Sequence, residues 1–587
     1  MNETLSFNPA ERPFDGTAVL PDTWDAVDGL GRILPGNDET GDVREDRYVG
    51  IFYWTWHCAH AKSTDPHNVT KILEQYPEAL TDLEHPAWGR LHAPHHWNEP
   101  IFGYYNTIDK WVLRKHAELL ADAGVDVVIF DNTNGTFTWQ ESYTALLETF
   151  AEARADGVKT PQISFLLPLF GGSAETNIQL ENIYNDIYRP GKYQDLWFYW
   201  KGKPLMMAYP DLLDENNPLH GEIREFFTFR PGQPSYTMGQ TREDQWGWLS
   251  VHPQQIYRNA DGTPEQITVG VAQNHSAELG LTAMNGINIF GRTYTSKGYD
   301  TRENAVLYGA NLAEQFEYAL TVDPEFIFIT GWNEWVAGRF PHWQGVDNAF
   351  PDQFNDGFSR DIEPTKGKLK DHYYYQMVAF IRRYKGTRPQ EKASAPVTID
   401  MDGPVSQWDS VMPDYRSYPG NTRDRDSDGY LTTHYTDQSG RNDIVGAKAA
   451  CDGENIWFLV ECADEITPHT DPCWMRLLIQ TDADQPSWEN MNYILNRTEP
   501  GMLEKSRGGW SWEEIGRIRW RAEGRFLTVM IPKAMLNLPD GPFTLRFKWA
   551  DNNLTENENG EADIMDLYGH GDTAPGGRFL FRYEFNG

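Results

Sequence analysis

Phe326-Ile327-Phe328-Ile329-Thr330-Gly331-Trp332-Asn333-Glu334-Trp335 is the stretch on which the reading of this chain turns. Five apolar or β-branched residues in a row predict a strand buried on both faces, as in a parallel sheet. The strand runs directly into an amide and a carboxylate bracketed by two indoles. Such an ending delivers an acid to the rim of a sheet and surrounds it with flat apolar surface. That combination suits a sugar, which offers hydroxyls to a carboxylate and C–H faces to aromatic rings. The competing reading is a strand end whose Glu pairs with an arginine and whose Trp residues pack in the core.

Outward from this stretch, strands and helices alternate. Tyr48 to Trp56 predicts a first strand, ending at His57, and a long loop follows to about Asn106. Asp109 to Leu120 has helical spacing, with Thr107 or Asp109 as its cap and Gly124 as its stop. Val125 to Phe130 is a second buried strand that opens into Asp131-Asn132-Thr133-Asn134-Gly135. Helices over about 140–156 and 174–188 precede strands at Gln162–Leu167 and Lys203–Tyr209. Glu225–Arg230, Trp246–Ser250 and Gln266–Ala272 read as further strands, and Gly286–Arg292 as a strand or a loop. A helix from Asn304 to Leu320 leads back to the opening stretch.

Repeated strand–helix units with continuously apolar strands imply parallel pairing and right-handed crossovers. About seven to nine such strands fit a (β/α)8 TIM-type barrel better than an open sheet. The strand ends then collect the site: Trp54, Trp56 and His57; Asp131, Asn132 and Asn134; Asp211; Arg230; Asn274 and His275; Trp332, Asn333, Glu334 and Trp335. After a linker-like stretch from Glu391 to Pro396 the pattern changes to short strands between turn signals. The expected organisation is an arm over residues 1–46, the α/β barrel over 47–390 and an all-β sandwich over 397–587.

Composition bounds the function. The chain has 587 residues, 40% hydrophobic and 23% charged, too long for one core and ordinary for a globular protein. Its formal charge of −35 repels phosphate backbones and anionic lipid, which argues against nucleic acid or a membrane as partner. Twenty-two Trp, 28 Tyr and 29 Phe supply many rings for sugar stacking as well as for cores. The four cysteines, Cys58, Cys451, Cys462 and Cys473, show neither a metal spacing nor a disulfide framework. The first residues lack the basic and apolar regions of a signal peptide, and no apolar run reaches membrane length. These features leave the compartment and the oligomeric state open.

Two stretches carry a family resemblance. Tyr104-Tyr105-Asn106-Thr107-Ile108-Asp109-Lys110-Trp111-Val112 through Ala123-Gly124-Val125-Asp126, together with Trp332-Asn333-Glu334-Trp335 and Asp361-Ile362-Glu363-Pro364, resemble glycoside hydrolase family 71/99-like barrels. That family includes endo-acting α-mannosidases. Its last barrel strand carries an N-E-W-x-E-G pattern followed closely by an I/L-E-P element. The resemblance implies a glycosidase acting on an α-linked oligo- or polysaccharide, with Glu334 in the site and no cofactor required. One departure stands out. The family's second Glu, the general acid/base, falls here on Ala337, and the Ile-Glu-Pro element lies farther along the chain.

Glycosidic hydrolysis needs two carboxyl groups. Asp131, Asp211, Asp361 and Glu363 are the expected partners for Glu334; the bland alternatives are backbone hydrogen bonding around Asn132 and Asn134 for Asp131 and a solvated loop paired with Arg360 for Asp361 and Glu363. A non-catalytic glycan-binding protein is the second reading, since Ala337 permits loss of the acid. A lyase or transferase on the same barrel is the third, and no nucleotide motif favours the latter.

The C-terminal region, through Val397-Thr398-Ile399-Asp400-Met401-Asp402-Gly403 and Trp408, resembles family 9-like carbohydrate-binding modules. The resemblance implies sugar held between rings such as Trp488, Trp510, Trp512 and Trp520, and in some members a structural calcium. Asp424, Asp426 and Asp428 have the D-x-D-x-D-G spacing of a calcium loop, although Tyr435 at the twelfth position excludes an EF-hand. A solvated acidic turn is the alternative.

Overall fold

A computed structural model describes residues 18–57, 65–169, 173–481 and 484–587. Cys58 and the first 17 residues of the expected arm lie outside the described residues.

The opening stretch forms the strand around which the first half is paired. In chain order the strands are β1 (Tyr48–Tyr53), β2 (Val127–Asp131), β3 (Gln162–Leu166), β4 (Lys203–Met206), β5 (Thr228–Phe229), β6 (Gly232–Gln233), β7 (Trp246–Gly247), β8 (Pro264–Gly270) and β9 (Phe326–Thr330). The sheet runs Ile256–Arg258, β8, β9, β1, β2, β3, and every pair from β8 to β3 is parallel. Gly50 lies between Phe328 and Val127, and Gly270 lies beside Thr330. Only glycine fits at position 50, because an added Cβ would meet the Phe326 ring at 2.6 Å. Parallel bridges carry the pairing onward, from Leu166 to Met207, from β4 to β5 and from β6 to β7. Between β7 and β8 the Gln266 side chain takes over from the backbone. Its Oε1 accepts from Gly247 N and its Nε2 donates to Gly247 O, both at 3.0 Å.

Because the pairings are parallel, β1, β2, β8 and β9 all end on the same side. Five of five residues in β2, β3 and β9 are buried, which is why these strands read as continuous apolar runs rather than alternating ones. Helices α1 (Lys110–Ala123), α2 (Gln140–Ala155), α3 (Ala174–Ile183), α4 (Pro218–Phe226), α5 (Ala310–Val322) and α6 (His372–Lys385) connect or cover them. Asp109 caps α1 by accepting from Trp111 N and Val112 N, and Gly124, at φ 81°, ends it.

Some elements are shorter than expected. Asn217 caps α4 and Pro218 starts it, so the helix continues through Phe226 and leaves only Thr228–Phe229 as strand. The ladder at Trp246 stops after Gly247, and Gly286–Arg292 is loop. The last helix before β9 begins at Ala310, after Gly309 at φ 60° interrupts the turn at Ala305–Leu307. Among the described residues no helix is long and apolar enough to cross a membrane.

The C-terminal region consists mainly of antiparallel strands in two larger sheets. β10 (Ile444–Cys451), β11 (Asn455–Cys462) and β13 (Phe526–Pro532) centre one sheet; β12 (Arg476–Gln480) and β14 (Phe543–Asp551) centre the other. The sheets meet where Phe458 of β11 packs on Phe547 of β14, with centroids 5.0 Å apart. β13 alternates buried and half-buried residues along its length, the pattern of a strand with one covered face.

A hairpin from this region, Arg425–Asp428 paired with His434–Asp437, clasps the long loop between β1 and α1. Arg425 donates to Asp109 at 2.9 and 2.7 Å and to Phe102 O at 3.0 Å, and the Tyr435 hydroxyl accepts from Tyr104 N. The N-terminal arm is held between the two halves. Asp25 and Leu580 exchange backbone hydrogen bonds, and Arg382 of α6 donates to Pro21 O and Trp24 O.

The Arg425 and Asp109 side chains are only 7% and 0% exposed. Arg425→Ala therefore strands a buried carboxylate, and we predict a loss of about 3–5 kcal/mol in unfolding free energy. Denaturant titration checks this; an unchanged midpoint would contradict it.

Candidate active site

Asn333 fixes the end of β9 by replacing a missing backbone ladder. Its Oδ1 accepts from Trp54 N at 2.7 Å, and its Nδ2 donates to Trp54 O at 3.1 Å and the Tyr105 hydroxyl at 3.3 Å. On the other side, residues 360–363 run alongside, with Gly331 N donating to Arg360 O and Glu363 N to Trp332 O. Trp332 and Trp335 point into the protein and are fully buried. Trp335 stacks on Trp97 at 4.5 Å and donates to Glu363 at 2.6 Å, while Trp332 meets His116 edge-on. The bracketing indoles are therefore core residues, and the Glu334 carboxyl pairs with Arg360 at 2.8 Å, so both features of the competing reading are present. The two indoles do not wall a site.

Glu334 is directed differently. Its Oε2 accepts from Arg360 Nη2 at 2.8 Å and Gln353 Nε2 at 3.1 Å. Arg360 Nη2 also reaches Asp352 Oδ1 at 3.4 Å, and its Nη1 donates to Asn274 Oδ1 at 3.3 Å. The Tyr236 hydroxyl completes this group by donating to Asn274, and the Trp248 ring lies under the guanidinium. Glu334 and Arg360 are buried, whereas the Asp352 side chain is 48% exposed. Asp352 is thus the acid of this group that faces solvent.

Burial pushes the Glu334 carboxyl well above the usual carboxylate range; Arg360 opposes the shift, and Asp352, Asp361 and Asp131 add to it. Burial works against the Arg360 charge, but Glu334 and Asp352 hold its pKa above the ordinary value. One buried cation faces two carboxyl groups, so the cluster is neutral when one of them carries a proton.

The other expected acids support this arrangement from behind. Asp361 Oδ1 accepts from Glu334 N at 2.6 Å and its Oδ2 from Trp97 Nε1 at 2.9 Å, and burial pushes its carboxyl up to about 6. Glu363 accepts from Tyr105, Trp335 and His116, with no exposed side-chain surface. Both are expected candidate acids from the sequence; each of their carboxyl oxygens accepts from a buried donor, and both side chains are buried. Asp131 accepts from Trp54 Nε1, Thr133 N and Thr133 Oγ1, and burial raises it as well. It lies near enough to Glu334 to feel its charge.

Among the expected sugar-binding residues, Asn274 joins the Arg360 group, and Trp54 and Trp56 stand beside Asp131. His275 is half-buried against Phe290 and Tyr236, and burial lowers its pKa. His57 is buried among Trp54, Tyr105 and Tyr430; burial pushes it down to about 3, so it is a neutral packing ring. Asn132 is buried and donates to Phe137 O, whereas Asn134 is exposed. Asn333 holds backbone.

Two of the expected residues are engaged in ion pairs. Arg230 pairs with Glu265 near the start of β8, at the opposite end of that strand from Asn274. Asp211 forms an exposed pair with Arg242. Ala337, where the family pattern has Glu, is 3% exposed and paired with His95 in the strand Val336–Gly338. An acid there would be buried.

Sequence reasoning missed Asp352, Gln353 and Tyr236 and gave Arg360 the wrong partners. Asp352 and Gln353 come from the segment between Gly338 and Ile362, whose extra length was the one available signal.

In the C-terminal region, Asp426 and Asp428 sit on a strand rather than in a loop, on the same face as His434, whose ring nitrogens they contact at 2.9 and 3.0 Å. The expected calcium loop at Asp424, Asp426 and Asp428 is therefore the arm of a hairpin. Among the described residues no group of three His, Cys, Asp or Glu side chains is placed to hold a metal ion. The expected ring platform divides in two: Trp488, Trp510 and Trp512 meet edge-to-face, and Trp520 packs on Trp474.

No family model and no curated protein matches the sequence. Among solved structures, the chain is similar to a GH99 endo-alpha-mannosidase from Bacteroides thetaiotaomicron, in two determinations. The first has 14% identity and a TM-score of 0.34 over 58% of this chain and 98% of that one. The second has 14% identity and a TM-score of 0.33 over 59% and 99%. A glycoside hydrolase family 5 protein from Bacteroides vulgatus has 9% identity and a TM-score of 0.27, over 89% of this chain and 98% of its own.

Asp361 gives a pH test. Its pKa is about 6 in the fold against 3.8 ordinarily, so the fold binds its proton more tightly than the unfolded chain does. That stabilisation is fully present below pH 3.8 and is lost as pH rises through about 6. Replacing Asp361 with Asn removes this part of the slope, on the order of 3 kcal/mol across the window. Denaturant titrations at pH 4 and pH 7 measure it; an unaltered slope would contradict the assignment.

Proposed function

We propose that the chain is a glycoside hydrolase whose strands β1–β9, with the short β5 and β6 as two parts of one strand, form a closed (β/α)8-type barrel over residues 47–390. A β-sandwich over 397–587 supports it. Glu334 is the proton donor and Asp352 the second carboxyl group. The observation that carries this reading is that Glu334 Oε2 and Asp352 Oδ1 both lie on one nitrogen, Arg360 Nη2, at 2.8 and 3.4 Å.

The chemistry follows from the difference between the two acids. Glu334 is buried and pushed up, the condition for holding a proton until a leaving group needs it. It donates that proton to the glycosidic oxygen as the bond to the anomeric carbon breaks. Asp352 stands at the open side, on Arg360, where it meets the developing positive charge of the sugar. The two oxygens are no farther apart than the sum of their distances to Arg360 Nη2. This favours the roughly 5–5.5 Å spacing of retaining enzymes, in which Asp352 forms the glycosyl–enzyme bond, over the roughly 6.5–9.5 Å of inverting ones. The family resemblance supports an α-linked oligo- or polysaccharide.

Glu334→Gln and Asp352→Asn should each lower kcat on the cleaved glycan by at least about a thousandfold with the melting temperature little changed. Proton NMR of the first product should show the anomeric configuration of the substrate retained. Full turnover in both variants would overturn the assignment, and inversion would remove the nucleophile role.

The buried Ala337 favours a second reading, glycan binding without cleavage. Calorimetric binding to a glycan from which no product is ever released would establish it; product release excludes it.

A further inference from the structure

Four aromatic rings form a row that leaves the candidate site through the β2–α2 loop. Trp54 stacks on Trp56 at 5.2 Å, Trp56 meets Trp139 at 5.3 Å, and Trp139 stacks on Phe137 at 5.6 Å. Successive ring planes differ by 27°, 35° and 29°, so the rings lean on one another like shingles. The inner end is tied to the frame of the site, since Trp54 N donates to Asn333 Oδ1, next to Glu334, while Trp54 Nε1 donates to Asp131 Oδ2 and Trp56 Nε1 to Asp131 O. The outer end is open. Phe137 is 68% exposed, against 5% for Trp54.

Folding stability does not account for that outer end. A phenyl ring left mostly in water returns little of its burial energy. Trp139, moreover, is held at φ 54°, a left-handed conformation that costs a bulky residue on the order of 1–3 kcal/mol. The loop is nevertheless fixed. The fully buried Gln179 of α3 donates through Nε2 to Asn132 O, Gly135 O and Phe137 O at 3.0, 2.9 and 3.2 Å. A rigid loop that spends strain to present an aromatic ring to solvent, at the end of a row rooted in the site, is preorganised for a ligand.

We propose that Phe137 and Trp139 form a distal sugar subsite for the same glycan whose scissile bond lies at Glu334. The row carries no charged side chain, and its exposed ring suits the C–H face of a neutral pyranose. The exposed amide of Asn134, on the same loop, can meet hydroxyls. The substrate class is therefore an extended glycan that spans several units from the cleavage point, rather than a single terminal sugar on a small aglycone. The inference takes its ligand class from the hydrolase reading.

The test compares the full-length protein with Phe137→Ala, Trp139→Ala and Phe137→Tyr. The probes are reducing-end-labelled α-linked manno- and gluco-oligosaccharides, from disaccharide to heptasaccharide. In the wild type kcat/KM should rise with chain length. In Phe137→Ala the advantage of the longest over the shortest chain should shrink about tenfold, mainly through KM, and Phe137→Tyr should restore it. Equal chain-length dependence in wild type and Phe137→Ala would overturn the proposal. If no probe is cleaved, the hydrolase reading fails on its own. Calorimetry with the heptasaccharides then decides the subsite: weaker binding by Phe137→Ala supports it, whereas equal binding or none overturns it.

Discussion

A guanidinium that has lost nearly all its water is the constraint on which the site depends. Arg360 cannot give up its proton, so it must be compensated where it lies. The fold supplies that compensation from separate parts of the chain: Glu334 at the end of β9, Asp352 from the long segment after it, and Asn274 after β8. Two acids face this one cation, and Glu334 is the one that burial pushes up. The more buried acid is the one that burial penalises when charged. The difference between Glu334 and Asp352 is therefore one of solvent access, created by placing one in the buried segment just past β9 and the other on a loop at the surface.

Holding Glu334 in that position takes a second layer. Its backbone N–H is anchored by Asp361, the preceding Asn333 is stitched to β1, and the Trp332 and Trp335 side chains anchor the segment in the core. Beneath them Glu363 gathers Tyr105, Trp335 and His116, and His116 in turn meets Tyr53. The C-terminal region reaches this layer from outside, because the hairpin bearing Arg425 fixes the loop that carries Tyr104 and Tyr105. A region that supplies none of the Arg360 cluster thus bears on its geometry.

Much of this was legible in the sequence where local pattern dictates it. The buried strands announced themselves as unbroken apolar runs, and Asp109 and Gly124 marked the ends of α1 correctly. Glu334 was legible because it ends such a run. What escaped were relations between distant residues. Nothing local distinguishes Trp332 and Trp335, buried in the core, from Trp56, which leans toward an open loop. Asp361 and Glu363 looked like free acids because their buried donors come from Trp97, Tyr105 and His116, far away in sequence. Asp352 lies in a loop without periodicity. Arg230 and Asp211 stood near strand ends, but Glu265 and Arg242 claimed them. The D-x-D-x-D-G spacing suited a loop, yet pairing with residues 434–437 made it a strand.

The most direct measurement is a crystal structure of the Glu334→Gln protein with an uncleaved α-linked oligosaccharide. The glycosidic oxygen is expected within about 3 Å of the amide that this substitution places at position 334, with Asp352 beside the anomeric carbon of the same sugar. A glycan bound with its linkages away from position 334, or with Asp352 remote from every anomeric carbon, would contradict this expectation.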